Sequence, residues 1–139
     1  MAAVKVLLAD DEESILQLMA QKVARAGYGV VTACDGQDAW AKIIRENPDV
    51  IILDLIMPKM DGLEVLRRLR ANPPTPKWQP VIIVSGRDEL GDIKQGYSLE
   101  ADHYITKPCT HHDVLKAIKL MLMLSAQRKT ADEIKKDAR

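Results

Sequence analysis

The chain has 139 residues, 47% of them hydrophobic and 29% charged. These are the proportions of one globular domain, large enough to bury about two thirds of its unfolded surface. Lys plus Arg equals Asp plus Glu at 20 each, which excludes a general electrostatic pull toward nucleic acid or anionic lipid. Met1-Ala2-Ala3 leads into a strand-like segment with no basic n-region. The longest apolar run outside the predicted strands, Leu120 to Leu124, is far shorter than a membrane span. A cytoplasmic protein with no direct nucleic-acid binding and no membrane segment is expected.

In chain order, an apolar segment Val4–Ala9 predicts a first strand. Ser14 to Ala26 follows as a helix, with Ile15, Met19 and Val23 spaced by four and Gly27 as its stop signal. Val30–Ala33 is the second strand and Gln37 to Glu46 the second helix, ended by Asn47-Pro48. Val50–Leu53 is the third strand, followed by a helix over Leu63 to Ala71 that carries Leu63, Leu66 and Leu69. Asn72 to Pro80 contains four prolines and reads as a stiff connector into the fourth strand, Val81–Val84. Trp78 in this connector is expected as a lid on the core. Asp88 to Leu99 predicts a weak helix, since Gly91 and Gly96 each cost about 1 kcal/mol relative to Ala. His103–Ile105 is the fifth strand. His111 to about Arg128 predicts a long last helix, with Thr110 as its N-cap and Asp113 in the first turn.

Several strands are continuous apolar runs without in/out alternation, the pattern of parallel strands covered on both faces. Strict β-α repetition with right-handed crossovers predicts an α/β fold: a doubly wound five-stranded parallel sheet in the order 2-1-3-4-5. Cys34 and Cys109 then lie near opposite edges, roughly 19 Å apart at about 4.8 Å per strand gap. A disulfide needs Cα atoms about 4.4–6.8 Å apart, so both are expected as free thiols.

Ligands in such folds sit beyond the carboxyl ends of the strands, where this sequence concentrates its chemistry. Strand one ends in Asp10-Asp11, strand three in Asp54, strand four in Ser85-Gly86, and strand five in Tyr104-Ile105-Thr106-Lys107-Pro108. Each alone has an ordinary structural explanation as a cap, turn or loop. Together, with strands one and three adjacent, they place three carboxylates in one crevice with Lys107 reaching in. Hard oxygen donors without His or Cys suit Mg²⁺ or a similar ion, Mn²⁺ included. Metal and lysine would stabilise the charge that phosphoryl transfer brings, and a carboxylate can itself be the nucleophile.

The stretches VLLADDEESIL, IILDLIMPKMDGLEVLRRLR, IIVSGRD and ADHYITKP, at these spacings, resemble the receiver domain of two-component response regulators, from Val4 to about Leu124. The resemblance implies a flavodoxin-like (βα)5 fold and a signalling domain, not an enzyme beyond slow self-catalysed phosphorylation and dephosphorylation. It makes Asp54 the phosphoacceptor and Asp11 the direct metal ligand, with Asp10 acting largely through metal-bound water. The Ile56 backbone carbonyl completes the protein's share of the coordination. Lys107 and Ser85, followed by Gly86, would contact the phosphoryl oxygens, and Tyr104 would change rotamer as Ser85 moves. The altered surface would then lie on the fourth helix, fifth strand and fifth helix. Lys107-Pro108 is expected to be cis, and Pro58 and Gly62 to shape the loop after the acceptor strand. The implied partners are a histidine kinase or histidine phosphotransfer protein, and then a downstream protein or a second copy of the chain.

Glu100 stands where receivers usually have Gly, and Tyr97 and Ser98 stand where aliphatic or small residues are commoner, which bears on the packing of the fourth helix. Ile56 and Arg87 lie two residues beyond Asp54 and Ser85 and are expected to tune the lifetime of the phosphorylated state. The domain is expected to span 1–128, with 129–139 a charged tail or the start of a linker. Thr130-Ala131-Asp132-Glu133 has the form of a capping box that would open a new helix there. The main alternative is an aspartyl-phosphate phosphohydrolase, which usually needs Asp-x-Asp after its nucleophile strand and a substrate cap. A flavin-binding carrier would need a phosphate-cradling loop where Asp10 to Glu13 would repel the phosphate.

Overall fold

The computed structural model describes residues 3–86 and 101–137, with side chains described through 128. Arg87, Tyr97, Ser98, Glu100 and the helix expected over Asp88–Leu99 lie outside the described residues. Five parallel strands form one sheet: β1 (Lys5–Ala9), β2 (Gly29–Ala33), β3 (Val50–Asp54), β4 (Val81–Ser85) and β5 (His103–Thr106). Their order, β2-β1-β3-β4-β5, is the one expected from the sequence. Between them run α1 (Glu13–Arg25), α2 (Gly36–Glu46) and α3 (Gly62–Ala71), and a C-terminal helix spans His111–Asp137.

The continuous apolar runs follow from burial on both faces. Every residue of β3 and β4 is buried, whereas edge strands β2 and β5 are largely half-covered. Alternate residues serve opposite layers. Leu7, Ile51, Leu53 and Ile83 pack with Ile43 of α2 and Leu66 and Leu69 of α3. Val6, Leu8, Ile52 and Ile82 pack with Leu16 and Val23 of α1 and Ile118 and Met121 of the C-terminal helix.

Local signals act where they were expected. Gly27 takes φ 102 after α1 and Asn47 takes φ 48 after α2, left-handed positions that end a helix. At the C-terminal helix, Thr110 N donates to Asp113 Oδ2 at 2.9 Å and Asp113 N donates to Thr110 Oγ1 at 3.3 Å. Cys34 and Cys109 are both free thiols, following strands at opposite edges of the sheet.

Two expectations are corrected. The last helix does not stop near Arg128 but continues to Asp137. Residues 129–137 contain neither Gly nor Pro, so nothing in them terminates the backbone hydrogen bonding. The pattern Thr130 to Glu133 therefore lies inside a helix and opens none. Trp78 is no lid on the core: it is half-buried at the amino end of the sheet, and the Arg128 guanidinium stacks over its ring, 4.7 Å from the centroid. The connector's buried residues are Gln79 and Pro80 instead, and the Gln79 side-chain amide donates to Asn47 Oδ1 at 3.2 Å and to the Pro48 carbonyl at 3.0 Å. Among the described residues no helix is long and apolar enough to cross a membrane.

Candidate functional site

The register of the sheet brings the acids together. Ala9 of β1 stands opposite Leu53 of β3, so the next residues, Asp10 and Asp54, leave the sheet side by side. Asp10, Asp11 and Asp54 each offer a carboxylate oxygen, and these oxygens lie within 4.8 Å of one another. Asp10 Oδ1 also accepts from Glu12 N at 2.9 Å at the entrance to α1.

Lys107 arrives from the far side of β4. Its backbone N–H donates to the Ser85 carbonyl at 2.7 Å, and its ammonium donates to Asp54 Oδ2 at 2.8 Å. The Lys107-Pro108 bond is cis, as expected. The Asp54 carboxyl is 5% exposed. Burial pushes its pKa from 3.8 up to about 6, against the pull of Lys107 and with a further push from Asp10. For Lys107, burial alone would lower the pKa; the hydrogen bond to Asp54 and its charge outweigh that and raise it. At neutral pH the pair is therefore ionised, with the carboxylate held in an unfavourable medium.

Ser85 is wholly buried at the end of β4, and its hydroxyl makes no hydrogen bond, an unusual state for a buried polar atom. Tyr104 of β5 is half-buried and packs against the core layer formed with α2 and α3. Ile56 is 54% exposed, and its backbone N–H, near the Asp54 carboxylate, acts to lower that group's pKa. Gly86 follows Ser85 directly, and Pro58 lies exposed in the loop after β3. Gly62 is required where it stands: its N–H donates to the Leu55 carbonyl at 2.9 Å, and a Cβ there would come within 2.5 Å of the Asp54 carbonyl oxygen.

Three carboxylates and one ammonium leave two negative charges uncompensated, and the converging donors are all hard oxygens. That set fits a divalent cation such as Mg²⁺. A cavity of about 500 Å³ opens beside it, walled by Ile15, Leu16 and Met19 of α1 and by Cys109 and Val114.

Sequence reasoning missed residues that support this arrangement. Asp35 is 8% exposed, caps α2 by accepting from Asp38 N at 2.7 Å, and faces Lys59 at 3.5 Å. Asp102 accepts from Val81 N and from Arg70, each at 2.8 Å, joining β4, β5 and α3. An acid two residues before the predicted helix start at Gln37 is a visible signal for Asp35 as its cap; Lys59, Arg70 and Val81, the other partners of the two acids, are distant in sequence and leave none.

A family model, response regulator receiver domain, matches residues 6–119. The alkaline phosphatase synthesis transcriptional regulatory protein PhoP of Bacillus subtilis is 39% identical over 133 residues, 96% of this chain and 54% of that protein. The transcriptional regulatory protein TrcR of Mycobacterium tuberculosis is 35% identical over 94% of this chain and 50% of its own length. The chain thus spans about half the length of these curated relatives. Among solved structures, a CheY-like response regulator receiver domain protein from Methanospirillum hungatei superposes with a TM-score of 0.84 at 28% identity, covering 91% of this chain and 99% of that one. The receiver domain of the Francisella response regulator 1452 gives 0.75 at 33% identity over 84% and 94%. Fold, acid cluster and family match agree, and the chain belongs to the response regulator receiver domains of two-component signalling.

Proposed function

We propose that this receiver is switched by phosphorylation of Asp54, with Mg²⁺ held by Asp10, Asp11, Asp54 and the Ile56 carbonyl. The observation that carries this reading is a buried carboxylate paired to Lys107, with an unbonded Ser85 hydroxyl on the next strand. An Asp54 carboxylate oxygen attacks phosphorus while the bond from phosphorus to the donor breaks; the donor is a phosphohistidine of a histidine kinase or phosphotransfer protein. When bound, the metal neutralises charge on the phosphoryl oxygens and acceptor. Lys107 exchanges its bond with Asp54 for one to a phosphoryl oxygen, and the Ser85 hydroxyl gains the acceptor it lacks. Tyr104, opposite Ile83 in the β4–β5 pairing and so two residues along the strands from Ser85, moves into the space vacated. Among the described residues, the changed surface includes β5 and the C-terminal helix, where Leu120 and Met123 are 42% and 62% exposed and available to a downstream protein or a second copy. We assign residues 1–128 to the receiver proper, and to 129–137 the role of a helical exit from it. We place the exchange in the cytoplasm, where free thiols persist.

The site gives no support to a phosphohydrolase, because the second position after Asp54 is Ile56 and not an acid. Incubation with acetyl phosphate and Mg²⁺, followed by intact-mass measurement, is expected to add one phosphoryl group, and Asp54→Asn to abolish the addition. Labelling that survives the substitution would refute the assignment.

The same geometry bears on lifetime. Ile56 presents an exposed apolar side chain beside the acceptor and offers no hydrogen bond to orient an attacking water. Ile56→Asn is expected to shorten the phosphorylated lifetime, on the order of tenfold, by improved positioning of that water. Equal decay rates would remove Ile56 as a determinant.

A further inference from the structure

The loop 55–61, which carries Ile56, is tied at its base: Leu55 N donates to the Val84 carbonyl and Gly62 N to the Leu55 carbonyl, both at 2.9 Å. Its far end is not held by the acceptor strand at all. It rests on the first turn of α2, an element that contributes nothing to the acid cluster.

Gly36 is the first residue of that helix. Ala is the better helix former by about 1 kcal/mol at an ordinary position, so glycine here needs a reason. The volume a Cβ would occupy is already taken by the backbone of Met60: its carbonyl oxygen overlaps that position, and its carbonyl carbon lies 2.5 Å away. Backbone cannot swing aside as a side-chain tip can. Beside this contact, Lys59 sits at φ 67, a left-handed conformation a lysine holds only when its surroundings impose it. Its ammonium meets Asp35 Oδ2 at 3.5 Å. The Asp35 carboxylate is fixed in turn by capping α2. The bond from Asp38 N holds its pKa below the usual carboxylate value, with Lys59 adding to the effect. Met57 and Met60 anchor the middle of the loop in or against the core.

We propose that Asp35 and Gly36 are positioning residues for the divalent cation: by seating Met60 and Lys59 they fix the loop and, through it, the Ile56 carbonyl. The inference rests on the reading of Asp54 as a metal-assisted phosphoacceptor. Neither residue touches the metal or the phosphoryl group; each acts through the loop.

The test is a Mg²⁺ titration of unphosphorylated wild type, Gly36→Ala and Asp35→Asn, followed by amide chemical shifts, with thermal midpoints measured without metal. Gly36→Ala is expected to raise the half-saturating Mg²⁺ concentration by about tenfold or more, the usual scale for a support one shell removed from a metal. Its acetyl phosphate labelling rate should recover toward wild type at saturating Mg²⁺. Asp35→Asn keeps the helix cap and loses the charge, so a rise of about twofold to fivefold is expected, as for a partly exposed ion pair. A merely structural role would lower the thermal midpoint and leave half-saturation unmoved, and that result overturns the inference. Should Gly36→Ala not fold, an unchanged half-saturation in Asp35→Asn overturns it equally. A wild type that is neither titrated by Mg²⁺ nor labelled would instead refute the phosphoacceptor reading; a labelled wild type with indifferent variants refutes only the positioning.

Discussion

Asp54→Asn is expected to make the metal-free protein more stable than wild type by about 1–3 kcal/mol at pH 7.5, and by almost nothing at pH 4. The sign follows from the acceptor's own environment. In the unfolded chain Asp54 loses its proton near pH 3.8, and in the folded chain near pH 6. Between those values the folded state binds the extra proton, so this group's contribution to stability falls as pH rises and is fully lost above about pH 6. Asn stays neutral throughout and escapes the loss, while Lys107, with a third of its side chain exposed, can turn to water. Acids such as Asp49 and Asp113, whose pKa values are lowered, tilt the profile the other way in both proteins and cancel in the difference. Urea unfolding of the two across pH 4–8 checks this, with m held constant. Adding Mg²⁺ should stabilise wild type selectively and narrow the gap. A wild type more stable than Asp54→Asn at pH 7.5 without metal would show that the pair with Lys107 outweighs burial of the acid.

Asp102→Ala is expected to destabilise the fold by about 2–4 kcal/mol. One carboxylate oxygen accepts from Val81 N at the start of β4 and from Arg70 at the end of α3, with both side chains less than a quarter exposed. Truncation leaves the buried Val81 N–H without its acceptor, and the guanidinium with the Gln79 carbonyl in place of a counter-charge. Burial raises the Asp102 pKa despite those partners, so the charge itself is held at a cost. Asp102→Asn, which keeps an acceptor for Val81, should therefore lose less than half as much. An unfolding midpoint shifted by under about 1 kcal/mol in Asp102→Ala would mean that water replaces the acid.

The sequence made the acid cluster legible because each member closes a strand, and strand ends are local signals. Once alternation of Val/Ile runs with helices set the order of strands, the neighbours of Asp54 followed. What stayed hidden were contacts between distant segments with no periodicity: Asp102 with Arg70, Gly36 with Met60, and Arg128 over Trp78. Trp78 is expected as a lid on the core, yet it stays half-buried in a proline-rich connector outside β4, and an arginine stacks over its ring. The last helix passes its expected end near Arg128 for the opposite reason: the capping pattern Thr130 to Glu133 is a local signal, and the residues around it all permit a helix to continue.

That helix has a mechanical consequence. It begins five residues after β5, close to Lys107, runs back along the sheet, and passes Trp78 at the opposite pole before continuing to Asp137. At about 1.5 Å per residue its 27 residues make a rod of about 40 Å, more than twice the roughly 17 Å length of a five-residue strand. A tilt of about 5° pivoting at its first turn would displace the far tip by about 3.5 Å at that length. An ångström-scale shift at the carboxyl end of the sheet that tilted this helix would thereby be geared up, and delivered at the opposite pole.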